Sequence, residues 1–292
     1  MPELIFAVYS YPPEDRERVQ RMFLDAGLLD RMVDPEIVVG FHKIDLPDEA
    51  TAQRLTFAAA ANGLLEPLIQ RAFDPSVKEL RAAPLLRMSA GGSAAANGHP
   101  RKHTTYDDAP ACRNCGAGLV QTSPFQLLKS EIPKKAHAAA IGDEIILHQD
   151  VVSAVEAAQL TGVSFRAVLD KSGAELPWLQ LVIGKTMPSL LASSRGMIRG
   201  RAGAEQPCPL CKRDGWFGTM HDPYIPAYSK AALETMPDVA WTYEMFSTGA
   251  WGTPVHGKRR LANRRIIVRP SVYELMKKLK VRGLRFGIVR VE

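Results

Sequence analysis

The residues best suited to chemistry are four cysteines in two Cys-x-x-Cys pairs. The first pair is Cys112 and Cys115, and the second is Cys208 and Cys211. Two intervening residues let both thiolates of a pair face one tetrahedral ion, and two such hairpins supply the four sulfur ligands of structural zinc. The pattern therefore predicts one zinc ion in a closed site that has a folding role and no position open for substrate.

Two other interpretations of the cysteines remain open. A thioredoxin-like redox pair needs a Cys-x-x-Cys at the start of a helix, whereas both pairs here lie among Gly, Pro and Asn. The thiols could also be free, because a reducing cytoplasm disfavours disulfides. His99, His103 and His221 are alternative ligands.

An internal repeat follows the cysteine pairs. Residues 145–168 and 266–289 align without a gap at a shift of 121, with six identical positions. Each copy predicts a strand, a helix with an apolar stripe, a glycine turn and a returning strand, and the turns fall at Gly162 and Gly283. Duplication would give each copy half of the metal site. The alternative is chance similarity between two ordinary β-α-β units.

The first 88 residues predict a small α/β domain of unknown role. Residues 4–10, 36–41 and 77–88 are strand candidates. A helix follows each of the first two, and the second helix runs from Asp48 to Ile69 with a kink at Pro67. The predicted fold class is therefore α+β: this α/β domain, then a duplicated β-α-β unit joined through a four-cysteine, zinc-ribbon-like site.

A Gly/Ser/Ala-rich stretch separates the two parts. Residues 89–110 cannot bury an apolar face, so we predict a linker there and a second domain at residues 111–292. The chain has no run of about 18 uncharged apolar residues. Its first residues also lack the basic region of a signal peptide. The prediction is a cytoplasmic protein without membrane contact.

Charge is distributed unevenly along the chain. The net charge of the whole chain is +6. Residues 1–75 have 7 basic and 13 acidic residues (net −6), whereas residues 258–292 have 12 basic and 2 acidic residues (net +10). A basic segment near aromatic residues is typical of nucleic-acid binding, and it also fits an acidic protein partner. The candidate partner-binding residues are Trp241, Tyr243, Trp251, Lys258, Arg259 and Arg260.

No catalytic motif accompanies these features. The sequence has no phosphate-binding glycine loop, nucleophile elbow, His-Glu-x-x-His or kinase signature. We predict that the protein is not an enzyme. The alternative is an enzyme whose site lies within the first 88 residues.

The paired cysteines, each ahead of an Ile-Ile, helix, Gly-x-x-Phe unit, give the sequence a family resemblance. It resembles the double-CxxCG family of myxobacteria over about residues 104–292, with Lys212 where that family has a glycine. The resemblance implies an immunity protein that protects a cell by binding a cognate polymorphic toxin. Cys112, Cys115, Cys208 and Cys211 match the metal-type positions of the family, and no catalytic residues carry over.

An immunity protein needs a stable scaffold and a surface complementary to the toxin. The predicted contact is the basic face at residues 258–290 or the loop at residues 221–257. A nucleic-acid-binding zinc protein that uses the same basic C-terminal face is the alternative.

Overall fold

The computed structural model divides the chain into two compact units. The first is Met1–Pro75 with Gly218–Tyr224, and the second is Ser76–Phe217 with Ile225–Glu292. Both mix helices and strands, which confirms the predicted α+β class. The structure describes residues 3–9, 11, 13–31, 42–91, 104–113, 117–141, 144–199, 208, 210–212, 215–218, 224–246 and 264–292.

In its described residues, the first unit has an antiparallel sheet and two α-helices. Its elements are β1 (Glu3–Tyr9), α1 (Arg16–Asp25), β2 (His42–Leu46), α2 (Glu49–Ala61) and β3 (Leu68–Phe73). The strand order is β2-β1-β3. As predicted, Asp48 caps α2, its carboxylate accepting from the Thr51 N–H at 2.7 Å. The buried faces of both helices pack with β1 and β2 in one apolar core.

Two details of the first unit differ from the sequence prediction. Helix α2 ends at Ala61, because Gly63 takes a left-handed φ of +63° and Arg18 binds the carbonyl oxygens of Asn62 and Gly63. The segment after Pro67, predicted as the rest of that helix, is instead strand β3, which pairs with β1. The predicted strand at residues 36–41 lies outside the described residues.

The second unit contains four of the helices and most of the strands. The helices are α3 (Val77–Ala82), α4 (Gln149–Ala157), α5 (Lys230–Thr235) and α6 (Pro270–Lys278). The strands are β4 (Leu85–Ala90), β5 (Tyr106–Asp107), β6 (Val120–Gln121), β7 (Phe125–Gln126), β8 (Ala138–Ile141), β9 (Glu144–His148), β10 (Val163–Leu169), β11 (Glu175–Ile183), β12 (Met197–Arg199), β13 (Gly215–Gly218), β14 (Ala227–Tyr228), β15 (Val239–Trp241), β16 (Met245–Phe246), β17 (Ile266–Val268) and β18 (Leu284–Val291).

The region around the predicted boundary also differs from the prediction. Residues 77–88 were predicted as a strand of the first domain, but they form helix α3 and most of β4, which pairs with β17 and β18. The two units divide between Pro75 and Ser76, upstream of the predicted linker. The first two residues of the predicted linker, Ser89 and Ala90, are the last two of β4, and Gly91 follows the strand. Residues 92–103 lie outside the described residues.

Two five-stranded sheets of the second unit have the same plan. Their orders are β7-β10-β11-β9-β8, called here sheet I, and β14-β18-β4-β17-β15, called sheet II. In each, the first strand pair is parallel and the next three are antiparallel. The predicted copies occupy equivalent places: strand, helix, glycine turn and strand are β9-α4-Gly162-β10 in one and β17-α6-Gly283-β18 in the other.

The central strand of each sheet has a different origin. Sheet I receives β11, which follows its repeat copy directly, whereas sheet II receives β4 from nearly 180 residues upstream, where Met88 pairs with Ile266. Strands β17 and β18 both pair with β4 in sheet II. The second copy is therefore incomplete without residues 85–90, which explains why this segment belongs to the second unit.

Each glycine turn contacts the edge of the other sheet. Gly162 has a φ of +85° and Gly283 a φ of +99°. A Cβ at Gly162 would overlap the carbonyl oxygen of Val239, and a Cβ at Gly283 would overlap that of Ala138. The preceding carbonyls accept reciprocal bonds, from Val239 N to Thr161 O (3.2 Å) and from Ala138 N to Arg282 O (3.1 Å). The two copies thus meet as the halves of a symmetric dimer do.

The side chain that accepts a hydrogen bond from each glycine turn is of a different type in the two copies. At the first turn the Thr161 N–H donates to the Asp238 carboxylate (2.8 Å), and at the second the Arg282 N–H donates to His137 Nδ1 (3.1 Å). Burial raises the pKa of Asp238, but hydrogen bonds from Thr161 and Ser271 and the charge of Arg269 outweigh it, and the pKa lies below its usual range. A side-chain acceptor completes each turn.

The core lies between the two sheets and is shared by both copies. Val151, Val152 and Val155 of α4 and Val272, Tyr273 and Met276 of α6 are buried in one apolar cluster with residues of β4, β9, β11 and β17. Tyr273 packs edge-on against Phe286 at 5.1 Å between ring centroids. Because neither copy buries its helix alone, we infer that the two fold as one unit.

The glycine turns can be tested with alanine. We expect Gly162→Ala and Gly283→Ala to lower the free energy of unfolding by about 3 kcal/mol each, from left-handed strain plus overlap with a carbonyl. Gly173→Ala is the control, because Gly173 has a φ of +88° but no atom of the described residues lies within 4 Å of its Cβ position. It should cost about 1 kcal/mol. Equal urea midpoints for all three variants would show that the turns do not hold the copies together.

Candidate metal centre

The first cysteine lies at the tip of a hairpin. Strands β5 and β6 pair Tyr106 with Gln121 and Asp107 with Val120. The Cys112 N–H donates to the carbonyl of Ala117 at 2.7 Å and closes the loop between them. Gly118, with a φ of +94°, lets the chain pass the carbonyl of Pro110. Cys115 lies outside the described residues.

The second cysteine pair lies on a turn before β13. The Lys212 N–H donates to the carbonyl of Cys208 at 2.9 Å. Cys208 is buried, with 1% of its surface exposed, whereas Cys211 is exposed. This turn therefore has one buried cysteine, Cys208, and one cysteine exposed to solvent, Cys211.

Three cysteines converge. The Sγ atoms of Cys112 and Cys208, 96 residues apart in sequence, are 3.7 Å apart. All three Sγ atoms, including that of Cys211, lie within 4.8 Å of one another, and none is in a disulfide. Tetrahedral zinc with Zn–S bonds of about 2.3 Å places its sulfur ligands about 3.8 Å apart. The donor set and spacing fit a thiophilic metal ion.

This cluster stands alone in the described part of the chain, where no other group of three or more His, Cys, Asp or Glu side chains could hold a metal ion. Cys115 and the alternative ligands His99, His103 and His221 fall outside that part. The structure thus brings together three of the four predicted ligands.

Two of the three cysteines, Cys112 and Cys211, line a cavity of about 410 Å³. Its lining includes Arg113 and Tyr243, which bring a cation and a phenol beside the thiols. The sequence predicts a partner-binding role for Tyr243 and no connection with the cysteines. Tyr243 is far from the cysteines in sequence, so the sequence does not indicate that it lies near them. Arg113 directly follows Cys112, and this position indicates that it lies near the cluster. Among the described residues, the lining is Pro110, Ala111, Cys112, Arg113, Ala117, Gly118, Leu210, Cys211 and Tyr243.

The backbone explains why a glycine would suit the position after the second pair. Lys212 has a φ of +57°, in the left-handed region where a Cβ is unfavourable. The first pair has Gly116 at the corresponding position in sequence. Lys212 therefore occupies a conformation that glycine adopts at lower cost.

The predicted partner-binding residues are only partly described. Trp241 is half-buried at the end of β15, pairs with Ile266 and packs on the shared core. Tyr243 is half-buried at the cavity. Trp251, Lys258, Arg259 and Arg260 lie outside the described residues.

In the first unit, the hydroxyl of Tyr11 donates to the carbonyl of Leu65 at 2.6 Å. Burial, with smaller contributions from Tyr9 and Asp15, raises the pKa of Tyr11 to about 12. The bond ties the segment after β1 to the segment after α2, which is a structural role.

No known family model matches this sequence, and no curated protein is similar to it. None of the helices among the described residues combines the length and apolar character that a membrane-spanning helix requires.

The cluster predicts metal content directly. We expect the purified protein to retain about one zinc ion per chain, and Cys112→Ser or Cys208→Ser to lose it, because serine is a poor zinc ligand. Leu210→Ser is the matched control, since Leu210 lies between the second pair and is 64% exposed. Its metal content, measured by mass spectrometry after dialysis, should equal that of the wild type. A folded wild type without metal would exclude the site.

The left-handed position predicts a stabilising substitution. Lys212→Gly should raise the free energy of unfolding by about 0.5–1 kcal/mol, because glycine removes the cost of the Cβ. Lys171→Gly, at another exposed lysine, is the comparison. The thermal unfolding midpoints of both variants are measured. If the midpoint of Lys212→Gly falls as far as that of Lys171→Gly, the assignment of strain to Lys212 is contradicted.

Proposed function

We propose that this protein is a cytoplasmic immunity protein, stabilised by one structural zinc ion, that neutralises a cognate toxin by direct binding. The observation that carries the proposal is the convergence of Cys112, Cys208 and Cys211 from two pairs, with 3.7 Å between the first two Sγ atoms. These pairs, each ahead of a repeat copy, are the feature by which the sequence resembles the double-CxxCG family.

The zinc would be held by Cys112, Cys208 and Cys211, with Cys115 as the fourth ligand. Bound there, the ion would supply structural cross-linking and no catalysis, since four thiolates fill its coordination shell. The chain's own contribution is to bring Cys112, on the hairpin of β5 and β6, to Cys208 and Cys211. In the unfolded chain the two pairs are far apart, so metal binding would favour the folded state.

Neutralisation by binding needs a rigid scaffold more than a reactive group. The shared core and the reciprocal turn contacts of the second unit provide such a scaffold. On this proposal the toxin contacts an exposed surface of the second unit. The sequence candidates for that contact are Trp241, Tyr243, Trp251, Lys258, Arg259 and Arg260.

Co-expression tests this function. Cells that produce the toxin encoded beside this gene should survive when they also produce the wild-type protein or Leu210→Ser. They should survive less well with Cys208→Ser, because loss of zinc lowers the amount of folded protein. Purified toxin and wild type should form a complex in size-exclusion chromatography. Failure of the folded, zinc-loaded wild type both to bind and to protect would refute the immunity function while leaving the metal site intact.

A further inference from the structure

The equivalent ends of the two repeat copies carry opposite surface character. At one end, called here the basic end, seven exposed cations lie on the last turn of α6, the turn after it, the start of β18 and the turn before β8: Lys134, Lys135, Lys277, Lys278, Lys280, Arg282 and Arg285. Backbone bonds from His137 N (2.9 Å) and Ala138 N (3.1 Å) to Arg282 O hold the two segments together.

The other copy provides an internal comparison. The shift of 121 places Glu156, Ala157, Gln159, Thr161 and Ser164 at the positions of the five cations of α6 and β18. Equivalent positions have the same exposure, and even the left-handed residue corresponds, with a φ of +53° at Gln159 and +52° at Lys280. The same fold therefore forms with one acidic and four uncharged residues in place of five cations.

Folding does not account for the basic end. Cations in the last turn of a helix interact favourably with its dipole, which would explain Lys277 and Lys278. However, α4 has the same length as α6 and no basic residue in its last turn. Arg285 lies over Gly91, whereas no described residue occupies the equivalent space at Gly184. In the described part of the chain, none of the seven cations is in an ion pair.

We propose that the basic end is the surface that docks a carboxylate-rich face of the partner protein; this rests on the proposed function. Five of the seven cations are lysines, which act as mobile point charges suited to electrostatic steering, whereas phosphate recognition favours arginine forks. The nearby aromatic residues also favour a protein partner, because Tyr273 is buried and packs edge-on against the partly buried Phe286, which disfavours stacking on bases.

The opposite end strengthens the choice of partner. Glu156 and Asp238 lie at the positions of Lys277 and His137, and the exposed Glu234 lies on α5, four residues before Asp238. With Arg269 beside Asp238 and Lys230 on α5, that end has no excess of positive charge, so an acidic partner would be attracted to the basic end instead. Two ends of similar backbone shape are thus distinguished by charge, which fixes the orientation of docking.

The test uses two full-length variants with the same change in net charge. Lys278→Ala, Lys280→Gln and Arg285→Ser together install the residues that the other copy carries, so the variant should fold, and they remove three charges. Ala157→Glu, Gln159→Glu and Ser164→Glu together change the net charge equally at the opposite end. Far-ultraviolet circular dichroism and thermal unfolding check that both are folded.

Binding is measured by fluorescence anisotropy with labelled poly-L-glutamate and with a DNA duplex of equal charge, each at low and high salt. We expect the basic-end variant to bind poly-L-glutamate about tenfold more weakly than the wild type, and the opposite-end variant to stay within about twofold. Equal weakening in both variants would overturn the proposal, because net charge alone would then explain binding. Tighter, basic-end-dependent binding of the duplex would replace it with a nucleic-acid interface.

Protection from the toxin separates this inference from the proposed function. If the basic-end variant loses protection and the opposite-end variant keeps it, the docking surface is supported. If both variants protect as well as the wild type, the toxin binds elsewhere and the docking surface is wrong while the immunity function stands. If the wild type itself gives no protection, the immunity function fails whatever the polyanion measurements show.

Discussion

The close approach of each glycine turn to the opposite sheet is the constraint on which the second unit depends. Gly162 and Gly283 leave no room for a Cβ against the carbonyls of Val239 and Ala138. This proximity allows the reciprocal backbone bonds, and it brings α4 and α6 into one apolar core. The arrangement is that of a symmetric dimer within one chain, completed by β4 from the segment before the first copy.

The metal centre depends on this scaffold indirectly. Both cysteine segments lie outside the two five-stranded sheets, one on the hairpin of β5 and β6 and the other on the turn before β13. Thiols that are 96 residues apart meet only when these segments are anchored to the same folded unit. A metal ion at this point would then hold together loops that have little apolar core of their own.

The two repeat copies of this unit have similar backbones and different surfaces, so the residues needed for folding can be distinguished from those available for recognition. The core positions of α4 and α6 are apolar in both copies, whereas the exposed positions after them are uncharged or acidic in one copy and basic in the other. Exposed charge contributes little to stability. The surface could therefore diverge without loss of the fold, and it is the part of the molecule most directly available for recognition.

The amino-acid sequence by itself determined the local structure of the repeats, the positions of both glycine turns and the two cysteine pairs. These follow from apolar spacing and backbone preference, which act over a few residues. The limits of that reasoning are visible at Pro67, where a helix was expected beyond its actual end, and at residues 85–90, which were placed in the wrong unit. Only the tertiary structure decided the partners of β4 and the convergence of Cys112 with Cys208 and Cys211. Strand pairing and thiol proximity depend on contacts between residues about 100 to 200 positions apart, and no local pattern specifies those contacts.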